Sequence, residues 1–364
     1  MSLAPTMSGY FGRQYMRGVG FCLLGILGLV FLFDLIELLR RASGREEATF
    51  LLVLQMAVLK APALAQKVLP FGILFGAMAT FTWLTRTNEL IVARAAGFSV
   101  WRFLTPAIVL TFALGVFVVT VFNPVAATMV SRFEQLEVKY LDNRASLLAV
   151  KPTGLWLRQV DATGSSVVHA RTVTPQSMEL DDVIVFLYSD TDSFSGRIDA
   201  PQARLEPGRW VLRDALLTRP DEPGEKHTRY EVPTTLTYEQ IQESFASPET
   251  LSFWALPGFI ETLEATGFTA QRHRLHWHSV MALPVLLTAM VLIAASFSLR
   301  LTRHGHVSLL VAMGVMTGFG FYFLADVVHA LGAAGDLPVT LAAWAPAGIM
   351  LMAGGAMLLH LEDG

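Results

Sequence analysis

Six long segments of this chain contain no charged residue, and they limit its fold more than any other feature of the sequence. A helix needs about 20 mainly apolar residues to cross the hydrocarbon core of a bilayer. The first segment is short, but Arg17 and Asp34 at its ends can extend toward the interface. We therefore predict six membrane-spanning helices. The segments are Gly18–Phe33, Val68–Leu84, Phe103–Phe122, Ser279–Leu299, Val307–Ala325 and Leu337–Leu359.

The composition agrees with this interpretation. Charged residues make up only 16% of the 364 residues and the hydrophobic set makes up 53%, whereas soluble domains carry about 25% charged residues. The net charge of −3 gives no reason to expect nucleic-acid binding. The single cysteine, Cys22, excludes an internal disulfide framework.

The segment between the third and fourth stretches, roughly 126–276, has a different pattern. Apolar residues alternate or form short runs between turn-rich stretches, which is typical of β-strands. The strand signals lie at 154–160, 166–172, 183–188, 209–217 and 228–232. Helix-like stretches, Phe133–Leu141 and Pro257–Thr266, lead in and out. The predicted fold class is an α-helical membrane protein with six transmembrane helices and an inserted all-β domain, which is a sandwich or a jelly roll. The predicted parts are 1–130, 131–270 and 271–364.

The interior of this β domain is expected to be apolar. A shift of one residue exchanges the two faces of a strand, so the sequence leaves the inward face open. Candidate interior residues are Leu155, Leu157, Val185, Leu187, Val211 and Leu212.

Orientation follows from the basic residues of the short loops. With both termini in the cytoplasm, seven arginines lie inside, and four basic residues lie in the short outer loops. This count places the β domain outside, although the inverted topology stays open at this point. The inside arginines are Arg13, Arg17, Arg86, Arg94, Arg102, Arg300 and Arg303, and the outer residues are Arg40, Arg41, Arg45 and Lys60.

Motifs for catalysis are absent from the sequence. There is no Gly-x-x-x-x-Gly-Lys-Ser/Thr loop to hold nucleotide phosphates and no Gly-x-Ser-x-Gly elbow. Two histidine clusters, His273–His278 and His304–His306, fit interfacial side chains better than a metal site, which needs three or four converging ligands. We therefore expect a non-catalytic protein that binds no metal.

The loop after the second span carries the most informative motif. Thr87 or Asn88 can cap a helix, and Glu89 in the first turn suits the helix dipole. Gly97 ends the helix. The result is a short amphipathic helix near 86–98 that is either a plain connector or a helix that docks on a separate motor subunit.

This motif resembles the coupling helix of the lipopolysaccharide export permeases, the LptF/LptG family. Glu89–Gly97 carries the resemblance, and Leu69–Gly76 is similar to the family's entry into the second span. Tyr10–Tyr15 and Leu341–Pro346 fit as well, so the resemblance covers nearly the whole chain. Phe33–Glu37 is more similar to the LptG branch than to the LptF branch.

The resemblance implies a permease that extracts lipopolysaccharide from the outer leaflet of the inner membrane of a Gram-negative cell. Its implied partners are an LptF-like permease, an LptB-like ATPase dimer, and LptC-like and LptA-like jelly-roll proteins that form a periplasmic bridge. This chain would bind no cofactor, because ATP and Mg²⁺ are used by the ATPase. By the same analogy Glu89, Arg94 and Gly97 belong to the helix that contacts the ATPase. The implied orientation has both termini in the cytoplasm and the β domain in the periplasm. The resemblance also implies that the β domain is a jelly roll. We expect its edge strand to pair with the partner jelly rolls by β-augmentation and its apolar interior to shield acyl chains.

Ionisable residues crowd the outer ends of the spans in this orientation. Such groups are costly in a bilayer and usually face a cavity or a partner. Guanidinium and ammonium groups pair well with phosphate, so the basic residues are candidates for binding the lipid A headgroup. The alternative is mutual neutralisation, of Lys67 by Asp326 or of Arg40 by Glu37. The headgroup candidates are Arg40, Arg41, Lys60 and Lys67, and the gate or groove candidates are Asp34, Glu37, Phe323, Asp326 and His329.

Two small-x-x-x-small patterns, Gly72/Gly76 and Gly314/Gly318, indicate close helix contacts, either moving or static. Three alternatives to an LptG-like permease stay open. They are the paralogous LptF-like subunit, a scaffold that transmits movement without passing lipid, and an intramembrane hydrolase, for which no motif speaks.

Overall fold

The structure is a computed structural model, and its described residues fall into two compact units. The membrane unit comprises residues 1–133, 249–256 and 271–364, and the β unit comprises 134–248 and 257–270. The described residues are 4–45, 48–87, 89, 99–141, 155–161, 164–174, 179–188, 193–220, 222–234, 247–265, 269–299 and 307–363.

Among these residues, six helices are long and apolar enough to cross a membrane, which confirms the predicted class. Each is longer than the charge-free stretch that predicted it, because the helix continues into polar sequence at its ends. The helix of the third span, Val100–Phe117, continues through a five-residue π-helical turn, Val118–Phe122, into the helix Asn123–Tyr140. The helices are α1 (Ala4–Ala42), α2 (Phe50–Arg86), α3 (Val100–Phe117), α4 (Asn123–Tyr140), α5 (Leu256–Ala265), α6 (Gln271–Ser298), α7 (Val307–Ala334) and α8 (Val339–Asp363).

Helix α6 forms the centre of the membrane unit. Every residue from Leu287 to Ser298 is buried, as expected for a helix that is apolar on all sides. In contrast, α1 and α7 leave large apolar side chains uncovered, with Phe21 84% exposed and Phe323 71% exposed. In a bilayer these faces meet lipid or another helix, and α1 and α7 are the least buried of the six spans.

Glycines set the closest helix contacts. A methyl group added at Gly76 would lie 2.5 Å from the Cα of Val19. The backbone of α1 therefore occupies the place that a side chain on α2 would need. Gly72, one turn earlier, faces the side chain of Leu23. The second pattern, Gly314 and Gly318 on α7, faces side chains of α2. Both predicted small-residue patterns therefore lie at helix contacts.

A short return segment, 249–256, belongs to the membrane unit and binds the π-helical turn. The indole N–H of Trp254 donates to the Thr120 carbonyl over 3.0 Å. The backbone N–H of Phe253 donates to Oδ1 of the buried Asn123 over 2.8 Å. Helical turns of this kind disturb the regular backbone ladder, and the return segment supplies hydrogen bonds at this position.

The β unit contains one antiparallel sheet whose six described strands pair in sequence order. The described part of the predicted jelly-roll module is thus a meander. All five strand signals fall within β1, β2, β3, β5 and β6, whereas β4 was not predicted. The strands are β1 (Leu155–Asp161), β2 (Gly164–Thr174), β3 (Glu179–Tyr188), β4 (Phe194–Glu206), β5 (Arg209–Thr218) and β6 (Glu225–Pro233).

The regular alternation of three neighbouring strands is interrupted at one level of the sheet, at Asp182, Pro201 and Asp214, and we call this line of residues the crease. Asp182 on β3 and Asp214 on β5 have positive φ angles, 52° and 49°. Pro201 lies between them on β4 and has no N–H for the ladder. On each strand the buried positions are spaced by three residues across the crease instead of two, so the same face stays inward while the sheet bends. The buried pairs are Leu180/Val183, Ala200/Ala203 and Leu212/Ala215.

The buried face of the sheet settles most of the interior candidates. Val185 and Leu212 are buried in the core of the sheet, and Leu187 is half-buried against it. Val211 is also buried, but it neighbours Leu212 on β5, so its side chain lies on the other face of the sheet and outside that core. The side chains of Leu155 and Leu157 lie outside the described part. Gln159 is one of three buried polar side chains in the described part of this unit, with Ser166 and Thr234. Its amide accepts hydrogen bonds from Trp210 and Thr234 and donates one to the Pro233 carbonyl.

Candidate functional site

An ion pair connects α1 and α2. Lys60 Nζ lies 2.5 Å from Asp34 Oδ1, and the Asp34 side chain is only 12% exposed. The ammonium group also lies 5.3 Å from the centre of the Phe133 ring on α4. A buried carboxylate needs such a partner, because desolvation of an unpaired charge is costly. Lys60 is therefore a structural link between three helices as well as a headgroup candidate.

The other oxygen of this carboxylate, Asp34 Oδ2, is buried and has no hydrogen-bond partner among the described residues. Removal of Lys60 would leave a buried carboxylate without its cation. For this reason Asp34 and Lys60 have to be considered as one group.

A second pair lies one turn further along α1. The guanidinium of Arg40 donates two hydrogen bonds to the carboxylate of Glu37, over 2.8 and 2.7 Å. Both side chains are well exposed, 73% and 51%. Exposed pairs of this kind exchange partners readily, because water screens the attraction. The neutralisation of Arg40 by Glu37, which the sequence left as an alternative, is present in the structure.

Lys67, midway along α2, has a partner that was not predicted. Its Nζ lies 3.0 Å from Glu249 Oε1, in the return segment, and both side chains are part-exposed. The expected neutralisation of Lys67 by Asp326 is wrong in this structure, since the carboxylate that Lys67 contacts is that of Glu249. Next to this pair, the rings of Phe253 and Trp277 stack at 6.1 Å between centroids.

The remaining gate candidates lie on α7. His329 Nε2 is 3.4 Å from the Ser279 hydroxyl of α6. Asp326 lies three residues earlier, almost one turn away, and Phe323 extends its exposed ring from the same helix. No group of three histidine, cysteine or carboxylate side chains within the described ranges is placed to hold a metal ion.

An aromatic cluster holds α7 against α2 in the middle of the membrane unit. Phe71 lies 4.8 Å from Phe319 and 4.8 Å from Tyr322, measured between ring centroids. Phe75 adds a contact at 6.2 Å to Phe319. The cluster covers one side of α7, and Phe323 lies on the exposed side.

Of the three residues predicted to form the coupling helix contact, the structure describes only Glu89. Arg94 and Gly97 lie outside the described residues. Glu89 is half-buried, and a side-chain hydrogen bond joins it to Tyr10 near the start of α1. Thr87 follows the last residue of α2, and its hydroxyl donates to the Trp83 carbonyl over 3.1 Å, so it caps the end of that helix.

The basic residues Lys60 and Lys67 were predicted from the sequence, but two side chains that they contact, Phe133 and Glu249, were not. Glu249 lies in the segment assigned to the β domain, and Phe133 lies in the stretch that leads into it. No local signal marks either residue as a neighbour of α2. The only clue in the sequence is that Glu249 is an acidic residue near the domain boundary with no basic residue close to it in the chain.

Taken together, the six spans, the inserted sheet and the charged pairs at the ends of apolar helices define a multi-pass membrane protein. Its helices α1 and α7 present apolar faces within the bilayer. The comparison with known proteins narrows this class.

A family model described as "Lipopolysaccharide export system permease LptF/LptG" matches residues 9–360. The chain therefore belongs to the LptF/LptG family. It is similar to the lipopolysaccharide export system permease protein LptG of Escherichia coli (strain K12), with 24% identity over 354 residues and 94% of each chain covered. It is also similar to the LptG protein of Haemophilus influenzae, with 24% identity over 352 residues and 94% of each chain covered. Family and spans together point to a multi-pass protein of the inner membrane.

Proposed function

We propose that this chain is the LptG-like permease subunit of an ATP-driven machine that extracts lipopolysaccharide from the outer leaflet of the inner membrane. The observation that carries the proposal is the pair of uncovered apolar faces on α1 and α7, with ionic groups at their outer ends. Phe33 is 65% exposed on α1, close to the Asp34–Lys60 pair, and Phe323 is 71% exposed on α7, close to Asp326.

Lipid A fits such a surface because its acyl chains prefer apolar walls and its phosphates prefer cations. Arg40 and Lys67 hold exposed carboxylates, which a phosphate can replace at little cost. Lys60 holds a buried carboxylate, and its release would leave Asp34 uncompensated. We therefore rank Arg40 and Lys67 ahead of Lys60 as phosphate ligands, with Arg41 beside Arg40 in sequence.

Force would reach this surface from a separate ATPase dimer of the LptB type, which uses ATP and Mg²⁺. The helix that contains Glu89, Arg94 and Gly97 would dock on that ATPase. The second permease would be LptF-like. In the proposed orientation both termini are cytoplasmic, and the β unit in the periplasm passes lipid to LptC-like and LptA-like modules.

The test is site-specific photocrosslinking to lipopolysaccharide in the assembled complex. The photoreactive residue has to stand at an exposed position of α1. Ile36 is 60% exposed and suits this purpose, whereas the nearby Leu38 is only 1% exposed and does not. A photoreactive residue at Ile36 or Phe323 should form lipopolysaccharide adducts that decrease when ATP is added. The matched control is Phe112 on α3, which is 48% exposed and lies on neither α1 nor α7.

Equal adducts at all three positions would mean that lipopolysaccharide contacts the protein without a defined groove. The absence of adducts at Ile36 and Phe323 in an active complex would favour the scaffold role over extraction.

A further inference from the structure

A crevice between α2 and α7 is not used by the proposed extraction of lipopolysaccharide. It has a volume of about 340 Å³ and is lined almost entirely by apolar side chains. Six of the seven lining residues lie on α2 and repeat at helical spacing. They are Phe75, Met78, Ala79, Thr82, Trp83 and Arg86, and Val315 of α7 completes the wall.

The length of this stripe matches one leaflet of a bilayer. Phe75 and Arg86 are eleven residues apart, which corresponds to about 16 Å along a helix that rises 1.5 Å per residue. Half of a hydrocarbon core is about 15 Å thick. The crevice thus extends from the aromatic cluster of α2 and α7 to the end of α2, where Trp83 is 42% exposed. Tryptophan is typical of the interface between bilayer and water.

Two polar groups at the end of the crevice have no partner among the described residues. Arg86 is exposed, and no described carboxylate forms an ion pair with it. The hydroxyl of Thr82, one turn deeper, is buried without a hydrogen-bond partner among the described residues. A cation at the interface followed by an orphaned hydroxyl and then apolar side chains has the polarity of a glycerophospholipid, read from phosphate through ester to acyl chain.

We propose that this crevice binds an anionic phospholipid from the leaflet at the Arg86 end. The phosphate accepts hydrogen bonds from Arg86, an ester carbonyl accepts one from Thr82, and one acyl chain lies along the stripe toward Phe75. In the proposed orientation this is the cytoplasmic leaflet, so the site is separate from the outer ends of α1 and α7. Binding requires neither the ATPase nor transport, and the proposal can fail independently of the proposed function.

The test uses the full-length chain in mixed micelles and tryptophan quenching by phospholipids with brominated acyl chains. Brominated phosphatidylglycerol should quench more than brominated phosphatidylcholine at the same mole fraction. Since the chain has seven tryptophans, Trp83→Phe should abolish this difference, whereas Trp344→Phe, which removes a 37% exposed tryptophan of α8, should preserve it.

The charge is tested with a matched pair of arginines. Loss of a charge-assisted hydrogen bond to phosphate corresponds to about a tenfold weaker binding of phosphatidylglycerol. We expect this loss in Arg86→Gln and not in Arg13→Gln, which removes an exposed arginine near the start of α1. Val315→Phe keeps Arg86 and fills the crevice, so it should also reduce quenching at Trp83, and circular dichroism checks that each variant is folded.

Four results would overturn the proposal. The first three are equal quenching by the two lipids in the unchanged chain, equal losses in Arg86→Gln and Arg13→Gln, and a lipid difference that persists in Trp83→Phe. The fourth is displacement of phosphatidylglycerol by lipopolysaccharide, because the crevice would then belong to the transport path.

Discussion

The contact between α1 and α2 at Gly76 allows a quantitative prediction. A methyl group at this position would lie 2.5 Å from Val19 Cα and 3.0 Å from Val19 N. Favourable contacts between carbon atoms begin at about 3.5 Å. The Gly76→Ala substitution therefore requires the two helices to separate by about 1 Å or to shift in register.

The expected cost is that of an overpacked core, about 1–3 kcal/mol. Gly28 on α1 is the matched control, because an added methyl group there meets nothing within 4 Å. Gly28→Ala should leave the free energy of unfolding unchanged or raise it, since alanine favours helix more than glycine does. The measurement is equilibrium unfolding of the full chain in mixed micelles with increasing dodecyl sulfate.

Double mutants distinguish a backbone contact from a side-chain contact. At Gly72 the nearest atoms belong to the Leu23 side chain, with Cδ1 at 2.8 Å. Leu23→Ala should therefore remove much of the strain of Gly72→Ala, as a coupling energy in the cycle. Val19→Ala should rescue Gly76→Ala only in part, because it removes the contact with Val19 Cγ2 at 3.0 Å but leaves the Val19 Cα at 2.5 Å. Stability of Gly76→Ala within about 0.5 kcal/mol of the unchanged chain, or its full rescue by Val19→Ala, would refute this geometry.

Three further perturbations test the charged and docking contacts. Lys60→Met should destabilise the chain by about 3–5 kcal/mol because it leaves Asp34 as an uncompensated buried carboxylate, and the double variant with Asp34→Asn should recover most of that loss in the same unfolding assay. Glu89→Lys should reduce lipopolysaccharide export in cells while the protein still inserts into the membrane, and normal export would contradict the docking role. Trp254→Phe should remove the hydrogen bond to the Thr120 carbonyl, at a cost of about 0.5–1.5 kcal/mol, and unchanged stability would show that the return segment does not depend on this bond.

The spans and most strands were predictable because their signals are local. Hydropathy along Phe103–Phe122 is enough to place a span, and alternation along Val183–Tyr188 is enough to place a strand. Strand β4 was missed because its alternation is broken at Pro201, and only the crease shared with the neighbouring strands keeps its buried positions on one face.

The basic residues of the candidate site were also predictable, but their pairing was only partly so. Arg40 and Glu37 are three residues apart on one helix, so sequence spacing already suggested their contact. Lys67 and Glu249 are separated by half of the chain, and no local pattern links them.

Local sequence patterns are enough to predict six bilayer crossings and a β domain between the third and fourth spans. The free energy of transferring a side chain into lipid and the alternation along a strand both depend on residues that are close in sequence. The tertiary structure was needed to find which carboxylates neutralise Lys60 and Lys67, which faces of α1 and α7 stay uncovered, and where the crevice beside Arg86 lies. Those features arise from contacts between helices that are distant in sequence, and their geometry is set by packing.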